Sequence, residues 1–185
     1  MQAKNTDISI HRGHTVRQIN DHVFFGKVKV TDFQTILIHA GTNDIAQLIQ
    51  SGSIKTALPQ HILQYYVSLR QSIRRRNSHA ILLFSSILPR VQDFHTFFPY
   101  VFGINFALEK WCAQSKGTCI FVPSYTLFLK QGLPKAHLFS EKDGLHLNGA
   151  GMDVLESCFQ QALTVPSMLE KVSSRRVKKL SLLPY

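Results

Sequence analysis

The stretch Thr35-Ile36-Leu37-Ile38-His39-Ala40-Gly41-Thr42-Asn43-Asp44 joins an apolar run directly to a polar turn. The run from Thr35 to Ala40 is continuous and rich in β-branched residues, which predicts a buried strand. After such a strand, the Asn43 amide can donate a hydrogen bond to an oxyanion that develops during acyl transfer. Asp44 can brace the turn by local hydrogen bonds. The alternative is an ordinary turn, since Gly, Asn and Asp are common turn residues.

Short apolar strands alternate with helices over most of the chain. This order predicts an α/β fold with a mainly parallel sheet and helices on both faces. Ligand sites in such sheets lie beyond the carboxyl ends of the strands, where Asn43 falls. Further strands are predicted at Asp7–Ile10, Ala80–Phe84 and Cys119–Val122, and helices at Thr15 to about Phe24, Pro59–Arg76, Tyr100–Lys116 and Asn148 to about Leu163.

A second polar group, Asp143-Gly144-Leu145-His146, comes just before the last predicted helix. An aspartate three residues before a histidine can accept the imidazole Nδ1–H, which leaves Nε2 free as a general base. The alternative is a surface loop with an incidental histidine, because the chain contains 9 histidines. The spacing and the upstream Asn43 favour the catalytic interpretation.

Gly13 lies in the loop Arg12-Gly13-His14-Thr15, ahead of a helix that Thr15 and Gln18 would begin as a capping box. A glycine there permits a positive φ and offers its backbone N–H to a reacting oxygen. The other interpretation is a glycine needed only for the chain to turn into the helix. The residues alone do not separate these two interpretations.

Taken together and in order, these groups resemble three of the four sequence blocks of the SGNH (GDSL-type) serine esterase family. Gly13-His14-Thr15-Val16 resembles the glycine block, Gly41-Thr42-Asn43-Asp44 the asparagine block and Asp143-Gly144-Leu145-His146 the final block. The resemblance runs from about Asp7 to Leu163. Ser86-Ile87-Leu88-Pro89-Arg90 and Leu138-Phe139 are also similar to esterase-like domains of non-LTR retrotransposon proteins.

The resemblance implies a three-layer α/β/α, flavodoxin-like fold and an ancestral esterase or acyl hydrolase acting on carboxylic esters. It implies His146 as the base, Asp143 as its orienting partner, and Asn43 and Gly13 as oxyanion donors. No metal and no organic cofactor is implied, because serine hydrolysis needs neither. The expected ligand is an ester or acyl substrate.

One block of the family has no counterpart here, because the sequence contains no Gly-Asp-Ser. Ser9 lies too close to Gly13 to take the nucleophile's place, and Ser85, Ser86 and Ser140 follow the wrong strands. We therefore expect a domain that lacks the first strand of the family and is inactive or weakly active. The alternatives are a non-catalytic binding module and a nucleic-acid-associated protein of retroelement origin. A longer reading frame could also supply the missing segment.

The absent strand would leave a gap beside Thr35–Ala40, since the family places it between that strand and Asp7–Ile10. Buried backbone groups do not tolerate such a gap unpaired. We expect Asp7–Ile10 either to move in and pair directly with Thr35–Ala40 or to detach.

The formal net charge is +10, and much of the excess lies in Arg74-Arg75-Arg76 and in the C-terminal segment. These basic segments suit a nucleic acid or an anionic membrane surface. Alternatively, the arginines favour a helix C-terminus and the C-terminal segment is a solvated tail. We expect residues 1–165 to form the hydrolase-like domain and residues 166–185 a poorly packed basic tail, because Val165-Pro166 ends the helical pattern. The basic residues of that tail are Lys171, Arg175, Arg176, Lys178 and Lys179.

The three cysteines, Cys112, Cys119 and Cys158, form neither an even disulfide framework nor a metal-type pair. They are expected to be free thiols in a reducing compartment. The N-terminal residues lack the apolar stretch of a secretory signal, and no apolar run is long enough to span a bilayer. An intracellular location, cytoplasmic or nuclear, is therefore expected.

Overall fold

A parallel sheet of three strands organises the molecule in the computed structural model, which describes residues 11, 13–52, 59–115 and 117–180, with side chains to residue 164. The strands are β1 (Thr35–Ile38), β2 (Ile81–Ser85) and β3 (Cys119–Val122), in the order β1-β2-β3. Leu37 lies opposite Leu83, which in turn lies opposite Ile120. The α/β class and the parallel sheet predicted from the sequence are confirmed.

Helices cover both faces of this sheet. The main core joins one face to three helices through buried residues such as Phe84, Leu69 and Leu108. On the other face, the last helix brings Phe159 to 5.8 Å from the His39 ring, measured between ring centroids. The helices are α1 (Val16–Phe24), α2 (Thr42–Gln50), α3 (Pro59–Arg76), α4 (Phe94–Ala113) and α5 (Gly149–Leu180), and a small hairpin pairs β4 (Leu129–Lys130) with β5 (Leu133–Pro134).

Local sequence signals account for several of the boundaries. Thr15 caps α1, and the reciprocal bonds between Thr15 and Gln18 form the predicted capping box. Asn148 caps α5, because its Oδ1 accepts the backbone N–H of Gly151. The bounds of α3 and β3 match those predicted.

Helices α4 and α2 differ from the prediction. Helix α4 begins at Phe94, before the predicted Tyr100, and contains Pro99. The hydrogen bond lost at proline is offset by burial of Phe94 and Phe97 in the first turns. Helix α2 was not predicted at all, because Gly41, Asn43 and Asp44 have the composition of a turn.

The prediction that Val165-Pro166 ends the last helix is wrong, since α5 continues to Leu180. Met, Leu, Glu, Lys and Arg dominate the continuation and favour a helix strongly enough to outlast one proline. The described helices include none that is long and apolar enough to span a membrane.

Strand β1 pairs with β2 along one side only, within the part of the chain that the structure describes. The predicted strand Asp7–Ile10 lies outside the described residues, so its two expected positions beside β1 stay predictions. The loop leading into β1 is held by Asn77, whose Nδ2 donates to the carbonyls of Val30, Thr31 and Phe33 at 2.8 Å.

Two of the three consecutive arginines have structural partners. Arg74 donates to the carbonyls of Ser78 and Thr118, at 2.7 and 2.9 Å. Arg76 donates to the Phe24 carbonyl at the end of α1. These bonds support the view that this basic run closes the C-terminus of α3 and ties it to neighbouring loops.

Gly41 forms the junction between β1 and α2 with a φ of +118°. A Cβ atom on this residue would come within 2.5 Å of both Ile87 Cδ1 and the Tyr66 hydroxyl. Tyr66 itself donates a hydrogen bond to the Ala40 carbonyl at 2.6 Å. The junction therefore requires glycine for two reasons, backbone conformation and space.

We predict that Gly41→Ala destabilises the protein by about 2–5 kcal/mol, the sum of roughly 1–2 for the left-handed backbone and roughly 1–3 for overpacking. The matched control is Gly52→Ala, where φ is +64° and nothing lies within 4 Å of an added Cβ. Gly52→Ala should lower the free energy of unfolding only by the roughly 1–2 kcal/mol that the left-handed backbone costs. Urea unfolding of the three proteins measures this, and equal losses in both variants would contradict the close packing at Gly41.

Candidate functional site

Asn43 lies in the first turn of α2, immediately beyond the end of β1. Its Nδ2 donates to the carbonyl of His14 at 3.0 Å. An Asn side chain carries two N–H groups, so a second donor is available for another acceptor. The bond also ties the loop that contains Gly13 to the carboxyl end of the sheet.

Asp44 connects the first turn of α2 to the start of α1. Its Oδ2 accepts the backbone N–H of Val16 at 2.9 Å, at the first residue of α1. The sequence predicts local bonds within the turn, and the bond from Val16 additionally joins this carboxyl to another helix. Burial raises the pKa of Asp44 to about 6, and the hydrogen bond from Val16 opposes that shift.

Gly13 lies in an exposed turn with a φ of +74°. The backbone N–H of His14 donates to the carbonyl of His11 at 3.3 Å and closes this turn. Because Asn43 holds the next residue, His14, the structure brings the glycine block and the asparagine block together.

Asp143 and His146 form the pair that their spacing predicts. The His146 Nδ1 lies 2.7 Å from Asp143 Oδ2. Asp143 Oδ1 also accepts the backbone N–H groups of Leu145 and His146, each at 2.9 Å. The hydrogen bond from the His146 side chain, followed by these backbone bonds, lowers the pKa of Asp143 to about 2. An ionised carboxylate only accepts, so Nδ1 carries the proton between the two groups, and Nε2 carries the lone pair when the imidazole is neutral.

The loop that carries this pair is anchored to the segment after β2. The Val91 N–H donates to the Gly144 carbonyl at 2.8 Å, and Ser140 N–H donates to the His146 carbonyl at 2.7 Å. Gly41 packs against Ile87 of the same segment. Both halves of the candidate site therefore rest on residues 86–92. Among the described residues no hydrogen bond joins Asn43 to His146, and the common cleft stays a prediction.

A buried hydroxyl network at the ends of β1, β2 and β3 was missed from the sequence. Ser124 Oγ lies 2.9 Å from the Oγ atoms of both Ser85 and Ser86. Ser85 Oγ also lies 3.0 Å from His39 Nδ1. Desolvation lowers the pKa of His39, although part of the residue is open to solvent. The available signal was a polar residue at or within two residues of the end of each strand, namely His39, Ser85 and Ser124, which matters once the strands are known to be adjacent.

All three cysteines are free thiols, as predicted. Burial raises the pKa of Cys112 to about 12. A thiol with so high a pKa is protonated at neutral pH and is a poor nucleophile.

Several solved hydrolases share this fold. A GDSL-like lipase from Bacteroides thetaiotaomicron has a TM-score of 0.63 at 19% identity, over 82% of this chain and 72% of that one. A member of the lipolytic G-D-S-L family from Veillonella parvula has a TM-score of 0.65 at 15% identity, over 83% and 76%. The esterase domain of the ZfL2-1 ORF1 protein from a zebrafish retrotransposon has a TM-score of 0.52 at 24% identity, over 69% and 70%.

These likenesses establish that the chain has an SGNH hydrolase-like fold. The sequence itself matches no protein-family model and no curated protein.

The raised pKa of Asp44 predicts a stability that depends on pH. The folded state holds this proton up to about pH 6, whereas the ordinary value is 3.8. Stability from Asp44 is therefore fully present below about pH 4 and is lost as pH rises through about 6. At roughly 1.4 kcal/mol per pKa unit, the loss is about 3 kcal/mol.

Urea unfolding at several pH values, compared between the parent and Asp44→Asn, isolates this effect. The parent should gain stability relative to the variant as pH falls from 7 to 4. Asp153→Asn, which changes an exposed acid on α5, is the matched control. Parallel stability profiles for the parent and Asp44→Asn would show that Asp44 titrates normally.

Proposed function

We propose that this chain is an SGNH-type hydrolase domain that binds an ester or acyl group and hydrolyses it weakly at most. The Asp143–His146 pair carries this proposal. Its carboxylate receives three hydrogen bonds, which fix both the loop and the imidazole tautomer. Such an oriented imidazole is suited to take a proton from an attacking group.

The proposed chemistry uses the base and the two donors that the family resemblance implies. His146 Nε2 takes a proton from water, whose oxygen bonds to the ester carbonyl carbon while the carbonyl oxygen becomes an oxyanion. The second N–H of Asn43 and the Gly13 backbone N–H donate hydrogen bonds to this oxyanion. When the intermediate collapses, the carbon–oxygen bond to the alcohol breaks and His146 returns the proton to that alcohol.

Weak turnover is expected because the hydroxyl groups near the strand ends are not available for attack. Ser85, Ser86 and Ser124 are buried and bonded to one another. Ser140 lies in the loop of the Asp143–His146 pair, and its Oγ accepts the backbone N–H of Lys142 at 3.3 Å. Hydrolysis that proceeds without a covalent nucleophile retains a rate of roughly 10³–10⁴-fold over water, which oriented binding and oxyanion donors supply.

We predict that the parent hydrolyses an aryl acetate far below the ordinary enzyme range of roughly 1–10³ s⁻¹. His146→Ala should reduce this residual rate to background, because it removes the base. His137→Ala, which removes another exposed histidine, should leave it unchanged. Initial rates under excess substrate, with labelling by a fluorophosphonate probe, measure both turnover and any covalent nucleophile.

Ser140→Ala completes the design. Ordinary turnover that disappears in this variant, with probe labelling at Ser140, would show that a serine attacks and would refute weak turnover. Saturable binding of an acyl analogue with no His146-dependent hydrolysis would instead identify a binding module.

A nucleic-acid partner is a second candidate, favoured by the net charge of +10. Arg74 and Arg76 already donate hydrogen bonds to backbone carbonyls. We therefore propose the C-terminal basic residues as the contact with nucleic acid. The division into a domain at 1–165 and a basic tail at 166–185 is likewise a proposal. Helix α5 is continuous across residue 165, so the helix itself marks no boundary there.

Binding of duplex DNA should weaken with salt, with a log–log slope of about −0.9 per phosphate contact. Replacing Lys178 and Lys179 by Ala should make the slope shallower by about 2. Lys130→Ala, an exposed lysine of the β4–β5 hairpin, is the control. Unchanged slopes in the double variant would exclude the C-terminal residues as the contact.

A further inference from the structure

Three histidines converge at the N-terminal end of the described chain. His11 and His14 flank the Gly13 turn, and His22 lies in the last turn of α1. One ligand atom from each residue lies within 4.8 Å of those of the other two. The fold thus brings two histidines of a loop and one histidine of the following helix close together.

The rings face one another edge to face around a common centre. Their centroids are 5.0–5.4 Å apart and their planes are inclined by 61–68°. The separations between the ligand atoms, rather than the ring planes, show that one nitrogen of each ring lies near those of the other two. All three residues are half-buried, which limits but does not close access from solvent.

A second observation points independently to a ligand. The Nδ1 of His22 is enclosed by protein and has no hydrogen-bond partner among the described residues. Leaving a buried polar atom unpaired is costly, and such atoms commonly mark a position that an ion occupies. A bond to a cation through the His22 ring gives this side chain the partner that the surrounding residues do not provide.

We propose that His11, His14 and His22 form a binding site for a divalent transition metal of the group Zn²⁺, Cu²⁺ and Ni²⁺. Imidazole nitrogens without carboxylates select Zn²⁺, Cu²⁺ or Ni²⁺ over Mg²⁺ and Ca²⁺, which require oxygen ligands. Three protein ligands leave the fourth tetrahedral position to water or an exogenous anion.

The geometry needs only a small contraction. Zinc–nitrogen bonds of about 2.0–2.1 Å in tetrahedral directions place the nitrogens roughly 3.3 Å apart. The present limit of 4.8 Å closes to that value if each ring moves inward by less than about 1 Å, which side-chain rotation supplies.

The surroundings hold the ligands in place before metal binds. The His14 carbonyl accepts a hydrogen bond from Asn43, and Thr15 and Gln18 cap α1. The metal would in turn pin the turn that contains Gly13 against α1. Metal binding would therefore fix the position of the loop beside Asn43. The proposal does not depend on whether the domain hydrolyses esters.

Titration of the full chain with Zn²⁺ by calorimetry tests the site. We expect one equivalent bound per chain, unaffected by excess Mg²⁺. His22→Ala should weaken Zn²⁺ binding by at least about 100-fold, since even outer-shell partners of a metal contribute roughly 10–100-fold. His79→Ala, an exposed histidine outside the cluster, should bind as the parent does.

Co²⁺ provides a readout that does not depend on a variant. The parent should develop visible d–d absorption typical of tetrahedral Co²⁺. Added Zn²⁺ should displace the Co²⁺ and abolish this absorption. Circular dichroism without metal verifies that His22→Ala is folded. If it is not, His11→Ala and the Co²⁺ spectrum of the parent carry the test.

Three results would overturn the proposal. They are equal Zn²⁺ affinity in the parent and in the cluster variants, equal weakening by His79→Ala, or half an equivalent of Zn²⁺ per chain. The last result would place the metal between two copies.

Discussion

The junction at Gly41 is the constraint on which the candidate site depends. The backbone must leave β1 with a positive φ in a space that Ile87 and Tyr66 leave too small for a Cβ atom. Only then does α2 begin at once and present Asn43 and Asp44 from its first turn. Ile87 is itself fixed, because Asn105 of α4 bonds to both its N–H and its carbonyl.

From this junction, two side chains extend to the N-terminal part of the chain. Asn43 reaches the carbonyl of His14, and the buried carboxyl of Asp44 reaches the first N–H of α1. A helix N-terminus attracts negative charge, but burial opposes ionisation and dominates here. The position of the Gly13 turn, and of the histidines around it, follows from these two bonds.

The Asp143–His146 pair has the opposite electrostatic character. It is exposed, so solvent stabilises the charge of Asp143, and hydrogen bonds hold this carboxylate ionised, whereas burial opposes ionisation of Asp44. The pair is local in sequence, and its geometry was therefore predictable from a spacing of three residues. Its placement relative to Asn43 depends on how Val91 and Ile87 position two separate loops.

Local patterns in the sequence were sufficient for the three strands of the parallel sheet, the capping box of α1 and the Asp143–His146 pair, because each rests on periodicity or on neighbours a few residues apart. They failed at α2, at the start of α4 and at the end of α5, where packing or a long run of helix-forming residues outweighs a single Gly or Pro. The hydroxyl network of Ser85, Ser86 and Ser124, the bond from Val16 to Asp44, and the cluster of His11, His14 and His22 could be seen only in the tertiary structure. Each joins residues from different elements, and no local pattern encodes which strands and helices become neighbours.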